Sequence, residues 1–208
     1  MTATTHPLTV AGDAVTHPFW SSRGGAAITV GGSLLLAATV VEWLLVAQDA
    51  AGLVPLFAAL FVAAAVAHAV AMVPVAFGRH GSDGAVGRSA LGKAGLIVFG
   101  LAFLANQLAY LVVAYFLPAQ DDYSAFLALQ TALGVVQFVA LLAGAIVIVR
   151  AGVATGAARW SLLVLAVLSI VLNGIGQLSG DVDVVTVVHL VSTVAQIIAG
   201  IVYLRHRR

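Results

Sequence analysis

The chain has 208 residues, of which 62% are hydrophobic and 8% charged, and its mean hydropathy is +1.11. A soluble domain carries about 25% charge, so a soluble fold is excluded, and the absence of cysteine removes disulfides, thiolate metal sites and cysteine nucleophiles. The net charge of +1 says nothing about nucleic acid; what informs is where the few charges sit.

Residues 1–25 are polar and rich in small side chains, with Arg23 their only basic residue. They lack the basic start and short apolar core of a cleaved signal. His-Pro occurs at His6-Pro7 and again at His17-Pro18. Proline holds the residue before it extended, so an irregular arm is expected, with Phe19 and Trp20 anchoring it among headgroups. Apolar runs follow at about 26–47, 53–77, 94–117, 124–149, 160–178 and 184–204. Each is long enough to cross a hydrocarbon layer of about 30 Å. Asp49 ends the first, Pro55 suits the first turn of the second, and Pro118 stops the third. The glycine-rich stretch 81–88 reads as a flexible link rather than a phosphate cradle. It follows a span instead of a strand and lacks the Lys-Ser/Thr ending of a phosphate loop.

Charge gives the topology. With six crossings, Arg23, Arg79, Arg88, Lys93, Arg150, Arg159, Arg205, Arg207 and Arg208 all fall on one side, and these are every Lys and Arg in the chain. The three opposite turns hold Asp49, Asp121, Asp122, Asp181 and Asp183. Lys and Arg are retained in the cytoplasm. The expected fold is therefore an all-α integral membrane protein, a six-transmembrane-helix bundle built as three hairpins with both termini cytoplasmic and 205–208 as a basic tail. Arginine outnumbers lysine eight to one, a usage that fits a GC-rich bacterial genome and hence a bacterial inner membrane.

Polar residues inside the spans recur at helical spacing. His189, Ser192, Thr193, Gln196 and Gly200 share one face of the sixth span; Ser169, Asn173 and Gln177 line the fifth; Gln130, Gly134, Gln137 and Gly144 line the fourth. Thr39 and Glu42 share a face of the first, and Asn106 and Tyr110 one of the third. Counted at 1.5 Å per residue from the cytoplasmic end, Glu42, Asn106 and Asn173 lie roughly 18–21 Å along their helices. Glu42 is the only acidic residue within a span, and an intramembrane carboxylate costs about 2.5–3.5 kcal/mol on insertion scales. An outward-opening polar pocket is expected around Glu42, with His189 its partner and Asn106, Gln107, Asn173 and Gln177 in the same outer half. It would bind or pass a small solute or a proton.

The competing reading is a non-catalytic structural or accessory subunit of a membrane complex, whose polar seams only join helices, at about 0.6 kcal/mol for each bond. Two span histidines invite haem or metal, but His68 is about ten residues deeper than His189. The separation is roughly 15 Å, so no cofactor and no metal site is expected. No catalytic constellation appears either, and the chain is not expected to be an enzyme. Trp20, Trp160 and Tyr203 on the inner side, and Trp43, Tyr115 and Tyr123 on the outer, are expected to form aromatic belts. The expected partners are the lipid bilayer and either a second copy of the chain or another membrane protein, with no nucleic acid. In length and span count the chain is similar to the substrate-binding subunits of vitamin uptake transporters and to many other six-span bacterial proteins. No motif of either is matched residue by residue, so the likeness implies a span count and no site.

Overall fold

The computed structural model describes residues 17–118, 122–179 and 182–207. It has six long helices: α1 (Phe19–Ala47), α2 (Val54–Phe77), α3 (Ala90–Tyr115), α4 (Ser124–Ala151), α5 (Gly156–Ser179) and α6 (Val182–Leu204), with a single 3-10 turn at Ala51–Leu53. No strand occurs among the described residues. All six are long and apolar enough to cross a membrane, their most apolar stretches reaching mean hydropathies of 1.8 to 2.6. Val30, Val70, Leu101, Val164 and Ile198 are more than half exposed on the circumference, which is the surface that hydrocarbon covers and water does not.

Local signals set the helix ends. Pro55 occupies the first turn of α2, where no backbone donor is needed. Ser89 caps α3, its hydroxyl accepting from the Gly92 N–H at 3.2 Å. Gly152 ends α4 in the left-handed conformation at φ 66°, which glycine adopts without steric cost. Arg159 then donates from Nε to the Val149 carbonyl at 2.8 Å, satisfying one of the acceptors that the end of α4 leaves open. α1 begins at Phe19, so residues 19–25, expected in the irregular arm, are helical; residues 1–16 lie outside the described chain.

Consecutive helices pack side by side, and α6 packs back on α1, so the six close into a ring. The pairing does not separate three hairpins, because α2 also packs on α3 and α4 on α5. Neighbours run antiparallel: a Cβ at Gly25 would lie 2.7 Å from the Leu204 nitrogen, one at Gly32 2.8 Å from Ile197, and one at Gly31 2.6 Å from the His68 ring. The described ends meet, with His17 Nδ1 at 3.0 Å from the His206 carbonyl. The basic residues of the chain's turns and ends therefore gather at one end of the ring, and Asp49, Asp122 and Asp183 lie at the other.

The connection after α2 is folded, contrary to the flexible link expected at 81–88. The Ala85 N–H donates to the Val75 carbonyl at 2.8 Å, and Ala85 and Val86 are buried with the main core cluster. The short apolar pair Ala85-Val86 supplies the burial that a purely polar loop would lack. Trp20 and Tyr203 also depart from the expected aromatic belt. They are 1% and 0% exposed and pack edge to face at 5.4 Å, because α1 starts early and carries Trp20 inward onto α6.

Packing differs between the two ends. At the basic end one cluster draws on all six helices, through residues such as Trp20, Met72, Leu96, Ile148, Leu162 and Tyr203. Toward the acidic end the buried cluster is built from α1, α2 and α3 alone, around Leu35, Phe57, Phe61, Phe103 and Leu111. Among the described residues, α4 contributes nothing fully buried before Ala140, and α5 nothing after Ala166. One wall of the ring is tight along its length, and the facing wall is tight only at the basic end.

Candidate functional site

Glu42 is reached by following one stripe of α1. Gly24, Ile28, Gly31, Leu35 and Ala38 alternate at spacings of four and three, and all are buried. Glu42 continues that series by four, at the point where the packed core gives way, and it is half-buried. Two hydroxyls from α3 meet its carboxylate: Tyr110 donates to Oε1 at 2.6 Å and Tyr115 to the same oxygen at 2.7 Å. A carboxylate only accepts, and it can accept several such bonds. The second oxygen, Oε2, has no partner among the described residues and is not occluded.

Aromatic packing holds the two hydroxyls in place. Phe57 lies 4.9 Å from the Tyr115 ring and 5.1 Å from Phe61, Phe61 lies 5.9 Å from Tyr110, and the two tyrosines are 6.3 Å apart at 78°. The four rings close a circuit beside Glu42. Phe57 and Phe61 are buried, so they act as backing, and only the tyrosines reach the carboxylate. The outer belt expected for Tyr115 is thus overturned: its hydroxyl turns in to Glu42, while Trp43 and Tyr123 are exposed.

The remaining residues expected at the site divide. His189 is an exposed residue of α6, one turn beyond the buried Thr193. It lies within electrostatic reach of Glu42, yet no hydrogen bond or ion pair joins them; the direct partners of Glu42 are the tyrosines. Asn106 is half-buried, with Oδ1 enclosed and unpartnered. Gln107 is half-buried and Asn173 exposed. The side chain of Gln177 lies outside the described residues.

Deeper in the ring the same pattern recurs. His68 Nε2 on α2, Gln130 Nε2 and Gln137 Oε1 on α4, and Gln196 Oε1 on α6 are enclosed without a hydrogen-bond partner. The span hydroxyls behave differently. Thr29, Thr39, Ser169 and Thr193 each donate to a carbonyl of their own helix at 2.8–3.0 Å. These serines and threonines therefore satisfy themselves locally, while the amides and the imidazole keep capacity directed inward. Buried polar groups normally find partners, and these five atoms on four helices are where ordered water or a guest would supply them.

The sequence points to Glu42 and Asn106, sets His68 aside on depth and gives Tyr115 to the interface. A tyrosine 68 or 73 residues away from its acceptor leaves no spacing signal. Outside this region, a cleft of about 410 Å³ opens at the basic end beside Val86, Arg88, Ser89, Val147 and Arg150. It lies far from Glu42 and does not share its chemistry. No group of His, Asp or Glu able to hold a metal ion occurs among the described residues. The chain matches no protein-family model, and no curated protein or solved structure resembles it significantly.

Proposed function

We propose that the chain is a multi-pass protein of a bacterial inner membrane, with both termini cytoplasmic, that binds or passes a small solute or a proton through a pocket centred on Glu42. Retention of basic residues in the cytoplasm supports this orientation, since it puts the acidic, loosely packed end outside. The observation that carries the reading is the state of the Glu42 carboxylate. One oxygen is clamped by Tyr110 and Tyr115, and the other is accessible and unpartnered. A carboxylate fixed in this way presents a defined acceptor to a proton, a cation or a hydrogen-bond donor arriving from the acidic end. His189, within electrostatic reach but out of contact, would be the second titratable group such a guest meets.

The accessory-subunit reading draws less support. It needs interior amides that bond from helix to helix. Gln196 interacts with His68 in this way, while Asn106, Gln130 and Gln137 each keep an enclosed atom unpartnered among the described residues, and the short cross-helix bonds within the spans are those of Glu42 with its tyrosines. The test is proton flux and solute uptake in vesicles containing the intact chain, compared with Glu42→Gln and Glu42→Ala. Loss of flux in both variants, with the protein still stable in the membrane, is the expected result. Unchanged flux in a stable Glu42→Ala protein would contradict the pocket.

A further inference from the structure

We propose that His68 and Gln196 form a second, inner proton-binding site, in which one proton on His68 Nε2 is shared with Gln196 Oε1. The proposal deepens the proton half of the reading above and rests on it only for the route by which the proton arrives.

His68 belongs to α2 and Gln196 to α6, helices that do not pack on each other but both pack on α1. The adjacent glycines Gly31 and Gly32 bring them together. The His68 ring presses on Gly31, where a Cβ would lie 2.6 Å from Nδ1, and Ile197, next to Gln196, presses on Gly32 at 2.8 Å. With hydrogen in place of two side chains, imidazole and amide come close enough across α1 to interact. Phe103 of α3 closes the pocket, its ring 5.1 Å from that of His68.

Hydrogen-bond bookkeeping then fixes the chemistry. His68 Nδ1 lies 2.8 Å from the Ala64 carbonyl, which can only accept, so Nδ1 carries the hydrogen and the neutral ring has its lone pair on Nε2. That nitrogen is enclosed with no partner, and so is Gln196 Oε1, in a residue pair whose histidine is 4% exposed. Brought beside one another, two acceptors satisfy neither. A proton delivered by hydronium forms an N–H bond at Nε2, water leaves, and the new N–H donates to Oε1. One proton thus satisfies both atoms. No charged or titratable side chain from α1, α3 or α6 acts on the ring among the described residues. Glu42 and His189, the titratable groups of the same interior, lie roughly 16 Å and 10 Å further along α1 and α6.

The experiment is a titration of the full chain in lipid nanodiscs, labelled with nitrogen-15 at its histidines, from about pH 8 to about pH 4. His68 is assigned through His68→Gln or, should that variant not fold, through the response to Gln196 variants, which leave the ring in place. The expected result is reversible protonation at Nε2. In Gln196→Leu the ratio of protonated to neutral His68 at a given pH falls about tenfold, the weight of one hydrogen bond to a charged group. Protonation with the same ratio in Gln196→Leu overturns the pairing. A ring that stays neutral throughout overturns the site, and is what a reversed amide donating to Nε2 or a bridging water would give. The titration is read at equilibrium without any gradient, so it stands or falls apart from the flux measurement on Glu42→Gln.

Discussion

Glu42 is paired with tyrosines rather than with a cation, and the difference has consequences at the level of the single bond. A tyrosine hydroxyl can hold a carboxylate by donating to one oxygen, leaving the second oxygen without a protein partner. Each such bond contributes about 1.5–3 kcal/mol when one partner is charged. Tyr110→Phe is therefore expected to destabilise the protein by that amount in thermal unfolding in detergent, and Tyr115→Phe by the lower figure because Tyr115 is more exposed. A double-mutant cycle of Tyr110→Phe with Glu42→Gln isolates the pair; a coupling near zero would remove the bond from the account. The carboxylates outside the membrane behave differently. The His80 N–H donates to Asp83 Oδ1 at 2.8 Å and holds that carboxyl below its ordinary value of 3.8. Bonds from the Ser124 backbone at 2.7 Å and hydroxyl at 3.0 Å do the same for Asp122. For a depressed carboxyl the stabilisation is complete above the unfolded value and is lost as pH falls through the folded one. The local order of the 78–89 turn and of the start of α4 should thus persist down to about pH 4. It should fail only below that, read as faster exchange of the His80 and Ser124 amides, and Asp83→Asn should show the fast exchange of His80 at neutral pH.

At the scale of the helix, α1 is the member on which α2 and α6 both pack. Its paired glycines recur after seven residues, Gly24-Gly25 and then Gly31-Gly32, with the first of each pair against α2 and the second against α6. A methyl at Gly25 would meet the Gly200 carbonyl at 2.8 Å and the Leu204 nitrogen at 2.7 Å, both backbone atoms that cannot turn aside. Gly25→Ala is expected to cost about 1–3 kcal/mol, as overpacking does. Gly134→Ala on α4 meets nothing within 4 Å, and should stabilise by about 0.5–1 kcal/mol through helix propensity. The comparison is made by thermal unfolding of the two variants side by side. These glycines also mark the limit of what one chain's residues disclose. The long uncharged runs announced six helices, and the amide periodicity of α4 and α6 announced an inward face, because both are repeated along one helix. Gly144 falls on the polar stripe of α4, yet only the structure shows Gly95 of α3 packed there, where a Cβ at Gly95 would lie 2.9 Å from the Ala140 carbonyl and 3.0 Å from the Gly144 nitrogen. Which helix faces which glycine depends on rotations about separate axes, and no spacing within a helix encodes that. For the same reason the tyrosine clamp on Glu42 and the meeting of His68 with Gln196 were not legible. The early start of α1 was hidden by its polar first turns, whose Ser21 is buried and bonds back to the Pro18 carbonyl at 2.8 Å.

Across the whole molecule the two ends are packed unequally, and the proposed pocket depends on that difference. α1, α2 and α3 stay tightly joined toward the acidic end, whereas α4 and α5 leave the core after Ala140 and Ala166. The polar stripe of α4 continues through Gln137 and Gln130 as half-buried residues, on the wall where the proposed pocket needs space. The account requires that space to be wet and reachable from outside. Because the chain has no cysteine, single cysteines report on this without a background. The decisive measurement is the labelling of Asn106→Cys and Gln130→Cys in intact cells by a charged thiol reagent that does not cross membranes, with exposed Asp122→Cys and buried Ile148→Cys as controls. Reaction at 106 and 130 as well as 122, with none at 148, is the predicted pattern; reaction at 122 alone would mean a dry seam, and Glu42 would have no pocket to serve.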